Sequence, residues 1–150
     1  MKCIPILLFI LTLALTACQS APSPITADLG TEFTLASEQT ATFAESGLTI
    51  RLVAVTGDAR CPSGVECAIS GPVTLQISVQ AGASSPTEFL LQTFTDGDGR
   101  APEGPFEGIQ DRVEFDGYMI RVVAVLPYPE GFGGKVKARE YRVAFVVTVK

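Results

Sequence analysis

From Val73 to Gln80 the chain alternates without a break, with Val, Leu, Ile and Val at the odd positions and Thr, Gln, Ser and Gln at the even ones. Successive side chains of a strand point to opposite faces, so this run is a strand with one buried and one solvated face. A helix would scatter the same apolar residues around its whole circumference. Tyr141, Val143, Phe145, Val147 and Val149 repeat the odd-numbered stripe near the C-terminus. In "VEFDGYMIRVVAV" the pair Asp116-Gly117 stands between two β-rich runs, and both residues tolerate the positive φ that a two-residue hairpin turn needs. "TFAESGLTIRLVAV" reads as the same hairpin with a longer turn. With no amphipathic helical period beyond residue 17, the expected fold class is all-β.

The strands also repeat. Gly47 to Val55 aligns with Gly117 to Val125 at a separation of 70, and the strand starting at Val73 aligns with that starting at Val143 at the same separation. Glu32-Phe33-Thr34-Leu35 resembles Glu88-Phe89-Leu90-Leu91 at a separation of 56. Two copies, each of short strand, hairpin, loop and strand, are expected to pack as the halves of one antiparallel sandwich, since neither buries its own apolar face. Arg51 and Arg121 then occupy equivalent sites, as edge charges or as partners of a carboxylate.

The N-terminus supplies an address. Lys2 precedes a nearly unbroken apolar run from Ile4 to Leu15, too short for a membrane span and followed by small residues, which makes residues 1–17 a signal peptide. Leu15-Thr16-Ala17-Cys18 resembles the lipobox of bacterial lipoproteins. That resemblance implies cleavage before Cys18, lipid modification of Cys18, and a protein tied to a membrane it does not cross, since two or more acyl chains anchor stably. Gln19 stands where Asp would favour retention at the inner membrane, so the resemblance favours the outer membrane. Residues 18–29 contain "QSAPSPITADL", a Ser/Pro/Ala tether with a reach of about 30 Å. Residues 30–150 are expected to form a single β domain, long enough for a substantial core. Loss of Lys2 moves the formal net charge from −5 to −6, a poor match to nucleic acid.

Export decides how Cys61 and Cys67 are read. Six positions apart around a Pro-Ser-Gly turn, in an oxidising compartment, they are expected to form a disulfide. A chain with no His and one Cys pair beyond Cys18 is poorly equipped for a metal, and the spacing is not that of a C-x-x-C redox motif. In the aligned second copy Cys61 falls on Gly131 and Cys67 on Lys137, so the bond is a local staple. "RCPSGVECAISGPV" resembles a pattern, R-C-P-x-x-V-x-C-x-x-x-G-x-V, of small bacterial lipoproteins and exported proteins. Arg60, Cys61, Pro62, Val65, Cys67, Gly71 and Val73 match it, while Ile69 stands where that group often has an aromatic. The resemblance implies an exported β domain and carries over no activity.

Without His, a Ser-His-Asp or Cys-His nucleophile cannot be built. Asp96, Asp98, Glu103, Glu107 and Asp111 gather in a Gly/Pro-rich stretch that reads as a solvated loop, with Asp96 and Asp98 as weak calcium candidates. The expected role is therefore non-catalytic binding at the cell envelope, without a cofactor. Alternatives are a structural envelope component, a protease-inhibitor-like protein or, last, an enzyme. The candidate binding surface is "PYPEGFGGKVKARE", in which Tyr128 and Phe132 stand in a Pro/Gly loop without a period to turn them inward. Lys135, Lys137 and Arg139 follow at alternate positions, which in an extended strand puts all three on one face, suited to an envelope protein or a polyanionic glycan. The other account tucks Phe132 onto the sandwich and has the cations guard an edge strand.

Overall fold

The computed structural model describes residues 22–150, which form β1 (Ile25–Thr26), β2 (Phe33–Ala36), β3 (Thr40–Phe43), β4 (Leu48–Asp58), β5 (Val73–Ala81), β6 (Thr87–Thr93), β7 (Arg112–Phe115), β8 (Tyr118–Leu126) and β9 (Arg142–Val149). A short 3-10 turn, Ala138–Glu140, precedes β9. The strands make two sheets, ordered β1-β3-β4-β5-β6 and β2-β9-β8-β7. All pairings are antiparallel except that of β1 with β3. The fold is an all-β sandwich, as the alternation requires.

The inward stripe of β5, Val73, Leu75, Ile77 and Val79, has no accessible surface, and neither have Val143, Phe145 and Val147 of β9. Each such side chain contributes about 1.5–3 kcal/mol on removal from water. Val149 is exposed instead, at the end of its strand, and the even-numbered Ala144 is buried in a small second cluster with Val123 and Ala124. Asp116 and Gly117 take φ of 49° and 79° in the two-residue turn that pairs Phe115 with Tyr118.

The two halves exchange their first strands. β3, β4 and β5 of the first half are completed by β6 of the second, and β7, β8 and β9 of the second by β2 of the first. Equivalent irregularities fall at equivalent places: β4 bulges between Leu52 and Ala54, and β8 between Val122 and Ala124. Phe33 meets Phe43 edge-on at 5.4 Å and 80°, and Phe89 meets Phe115 at 5.9 Å and 76°. Each aromatic pair joins one sheet to the other.

The ladders correct one alignment. Ile77 pairs with Phe89 and Phe145 with Phe33, and Gln76 with Ala54 and Ala144 with Ala124. Both ladders make β9 equivalent to β5 at a separation of 68, not 70. A shift of two leaves every side chain on its own face, so the apolar pattern fits either register.

The tether expected to run through Leu29 is also shorter. Ile25 and Thr26 lie opposite Ala41 and Thr42 of β3, Gln39 Nε2 donates to Ser23 O at 2.8 Å, and Ala27 is buried. The domain boundary moves from residue 30 to about residue 23. A two-residue edge strand is too brief to show a period in a Ser/Pro-rich stretch. The signal peptide and Cys18 lie outside the described residues.

Candidate functional site

β4, β8 and β2 end, and β5, β9 and β3 begin, at one end of the sandwich. Two long connections emerge there, residues 59–72 and residues 127–141, and the connection after β6, residues 94–111, leaves from the same end. The first two are joined to each other: Ser63 N donates to Pro129 O at 2.9 Å and Gly131 N to Ser63 O at 3.0 Å, a short parallel bridge. Cys61 and Cys67 form the expected disulfide within the first connection.

Beneath the bridge lies a charged group that closes this end. The Arg60 side chain has no exposure. Its Nε and Nη2 donate to Asp58 Oδ1 and Oδ2 at 2.9 and 2.6 Å, Nη1 donates to Val125 O at 2.7 Å, and Nη2 also reaches Pro127 O at 3.0 Å. The guanidinium lies 4.9 Å from the centre of the Tyr128 ring, and Tyr141 OH donates to Asp58 Oδ2 at 3.0 Å. One arginine thus ties the end of β4 to the end of β8. Burial raises the Asp58 pKa, but the hydrogen bonds and charge of Arg60, with the Tyr141 hydroxyl, outweigh it and hold the carboxyl below its ordinary value. Burial, followed by the charge of Asp58, pushes Tyr141 up to about 12.

Above this floor the second connection turns sharply. Gly134 N donates to Gly131 O at 3.1 Å, and Gly133 at the third position has φ 76°, as a type II turn requires. Phe132 occupies the second position and is 98 % exposed. A Cβ on Gly134 would overlap the carbonyl of Glu130, so the closing position also needs glycine. The account that tucks Phe132 onto the sandwich is therefore wrong. Tyr128 is half-buried against Arg60, so the two aromatics expected together have different environments.

The cations do not form the expected strand. Lys135 to Lys137 are irregular and Arg139 sits in the 3-10 turn, because Val136 is drawn down onto the core and Glu140 folds back, its carboxylate accepting from Lys137 N at 3.2 Å. Lys135, Lys137 and Arg139 are nonetheless all exposed. Lys137 lies 3.8 Å from Glu140, whereas no carboxylate among the described residues pairs with Lys135, Arg139 or the neighbouring Arg142. A cleft of about 250 Å³ runs between Lys135, Val136, Pro129 and the Asp58–Arg60–Tyr141 group.

The acidic loop has a different character. Asp96 Oδ1 accepts from Asp98 N at 3.0 Å and Arg100 N at 2.8 Å, so its carboxylate holds a local turn. Asp111 is buried and paired with Arg112 at 2.8 Å, away from the solvated loop in which its sequence position put it. No three His, Cys, Asp or Glu side chains among the described residues gather into a metal-holding group. Arg51 pairs with Glu38, and Arg121 stands opposite Arg112 in the β7–β8 ladder.

Asp58 and Tyr141 were missed as partners of Arg60. Tyr141 belongs to an apolar stripe that accounts for it as core, and although Asp58 and Arg60 are only two residues apart, no local spacing joins them to residues 125 and 141. Comparison with protein-family models, curated proteins and solved structures finds no match to this chain.

Proposed function

We propose that the chain is a lipid-anchored, non-catalytic binding module of the bacterial cell envelope, the outer membrane being favoured, and that it takes an acidic partner on the connection from Pro127 to Tyr141. The observation that carries this reading is Phe132, 98 % exposed at the apex of a turn pinned by glycines and by the Ser63 bridge. Water-facing aromatic surface on a rigid mount suits contact, because little conformational freedom remains to be lost on binding. Lys135 and Arg139 on the same connection, and Arg142 just beyond it, form no ion pair with a described carboxylate, in a chain of net charge −5, while Glu130 and Glu140 line the same cleft as Lys135. Charge and apolar area together select an acidic partner with some apolar surface.

A photoreactive phenylalanine analogue at position 132, illuminated in intact cells, tests the reading. An adduct with an envelope component is expected, weakened by Lys135→Glu with Arg139→Glu. Phe132→Ala should leave the melting temperature unchanged, since this side chain has no packing to lose. A wild-type surface that yields no adduct with any envelope component would sink the proposal.

A further inference from the structure

The described chain begins at the same end of the sandwich as Phe132. Gln39 Nε2 donates to Ser23 O at 2.8 Å, and Gln39 lies in the turn between β2 and β3, whose Ser37 Oγ donates to Ala138 O at 2.7 Å. Ser23 is thus fastened next to the connection that carries Lys135 and Arg139 and leads into Arg142 of β9. Five residue steps separate it from Cys18, a reach of at most about 17 Å. A lipid on Cys18 therefore holds this end of the domain, and no other, close to the bilayer.

Of the six large apolar residues exposed among the described residues, the two most exposed are at this end, whereas Leu90, Phe106 and Val149 belong to β6, the β6–β7 connection and the end of β9. Phe132 and Ile69, 98 % and 83 % exposed, stand in the two bridged connections, and Leu126, 44 % exposed, ends β8 beside them. Lys135, Arg139 and Arg142, in no ion pair with a described carboxylate, cluster on the Phe132 side of this end, accompanied by the exposed Glu66 and Glu130 and by Glu140, which is occupied with Lys137, while Asp96 and Asp98 lie in the β6–β7 connection that packs on Leu126 through Gly99. Apolar side chains among cations match the interfacial layer of a bilayer with anionic headgroups. A gap spanned by so short a tie leaves little room for a bulky partner. The type II turn at Phe132 is also not the extended strand that a protease cleft receives.

We propose that this end docks on the surface of the membrane to which Cys18 is tied, Phe132 entering the interfacial layer and Lys135, Arg139 and Arg142 facing anionic headgroups. The inference rests on the binding site assigned above and on lipidation of Cys18, and it names the partner as the bilayer itself.

The chain has no Trp, so Phe132→Trp provides a single reporter. The full lipidated protein carrying it is reconstituted into phosphatidylglycerol-containing vesicles with brominated acyl chains, beside an Ala83→Trp protein whose reporter lies in the exposed β5–β6 turn at the far end. Quenching of at least twofold and a blue shift are expected at position 132, with neither at position 83. Replacing the anionic lipid by phosphatidylcholine, or introducing Lys135→Glu, Arg139→Glu and Arg142→Glu, should reduce the quenching. An unquenched Phe132→Trp reporter on vesicles that retain the protein overturns the proposal, as does failure of the vesicles to retain it. A reporter at position 132 that stays unquenched but shifts on addition of a purified anionic glycan would leave the binding site standing with a different partner. An unquenched, unshifted reporter there, together with no photoadduct in cells, would remove both readings.

Discussion

Arg60 occupies a position that a sequence seldom reveals: a fully covered guanidinium whose carboxylate partner is two residues away but whose carbonyl and tyrosine contacts come from the other sheet and the connection that follows it. It appeared only as the first letter of a short motif, because residues 58, 60, 125, 127 and 141 converge only when two sheets meet. Removing one partner of a covered ion pair strands the other, so Arg60→Ala should cost about 3–5 kcal/mol in urea unfolding. Arg60→Lys should recover only part of this, since an ammonium cannot grip both carboxylate oxygens and reach two carbonyls. The pH dependence has two limits. Asp58 has a folded pKa below 3.8, so its contribution is present above the unfolded value and is lost as pH falls through the lower folded value. Tyr141 has a folded pKa raised from 10.0 to about 12, so its contribution is complete below pH 10 and disappears as pH rises toward 12. Tyr141→Phe should flatten the alkaline limb of a stability–pH curve and cost about 1 kcal/mol at neutral pH. An unchanged alkaline limb would assign that loss to another group.

Among the elements, β5, β9 and the β7–β8 hairpin could be read directly, because a strand buried on one face must alternate and a two-residue turn must accept positive φ. β1 could not, since two residues have no period, and the register of β9 could not, since a slip of two conserves facing. At the site, the lack of period left Phe132 open between exposure and a place on the sandwich, and only the turn geometry decided it, whereas the extended cationic strand failed because Val136 and Glu140 had better local partners. The Cys61–Cys67 staple also proves less local than its spacing suggests, for Ser63 inside it holds Pro129 and Gly131. Replacing both cysteines by Ser should destabilise the domain by about 2 kcal/mol through the freed seven-residue loop. Amide exchange at Ser63 and Gly131 should accelerate with it. Protection at Gly131 that survives loss of the disulfide would show the aromatic turn to be self-supporting.

For the molecule as a whole, the proposed attachment is through a lipid on Cys18, and no described helix is long and apolar enough to cross a membrane. Cys18→Ser should therefore move the protein from the membrane pellet to the soluble or misprocessed fraction and abolish incorporation of a clickable fatty acid. A wild-type chain that takes up no label would remove the anchor. The exchanged first strands have a further bearing on how the molecule comes into being. β2 is among the first residues of the domain, yet its only ladder is with β9, the last strand of the chain. In a chain that emerges from its N-terminus onward, as synthesis and the proposed export both require, Phe33 to Ala36 have no partner to receive them, and the second sheet cannot close until β9 has followed. Such long-range closure makes folding a late, slow event with an unpaired edge exposed meanwhile. The same exchange makes an incomplete chain futile: a ribosome that stops short of residue 142 releases a domain whose β2 has no strand to pair with.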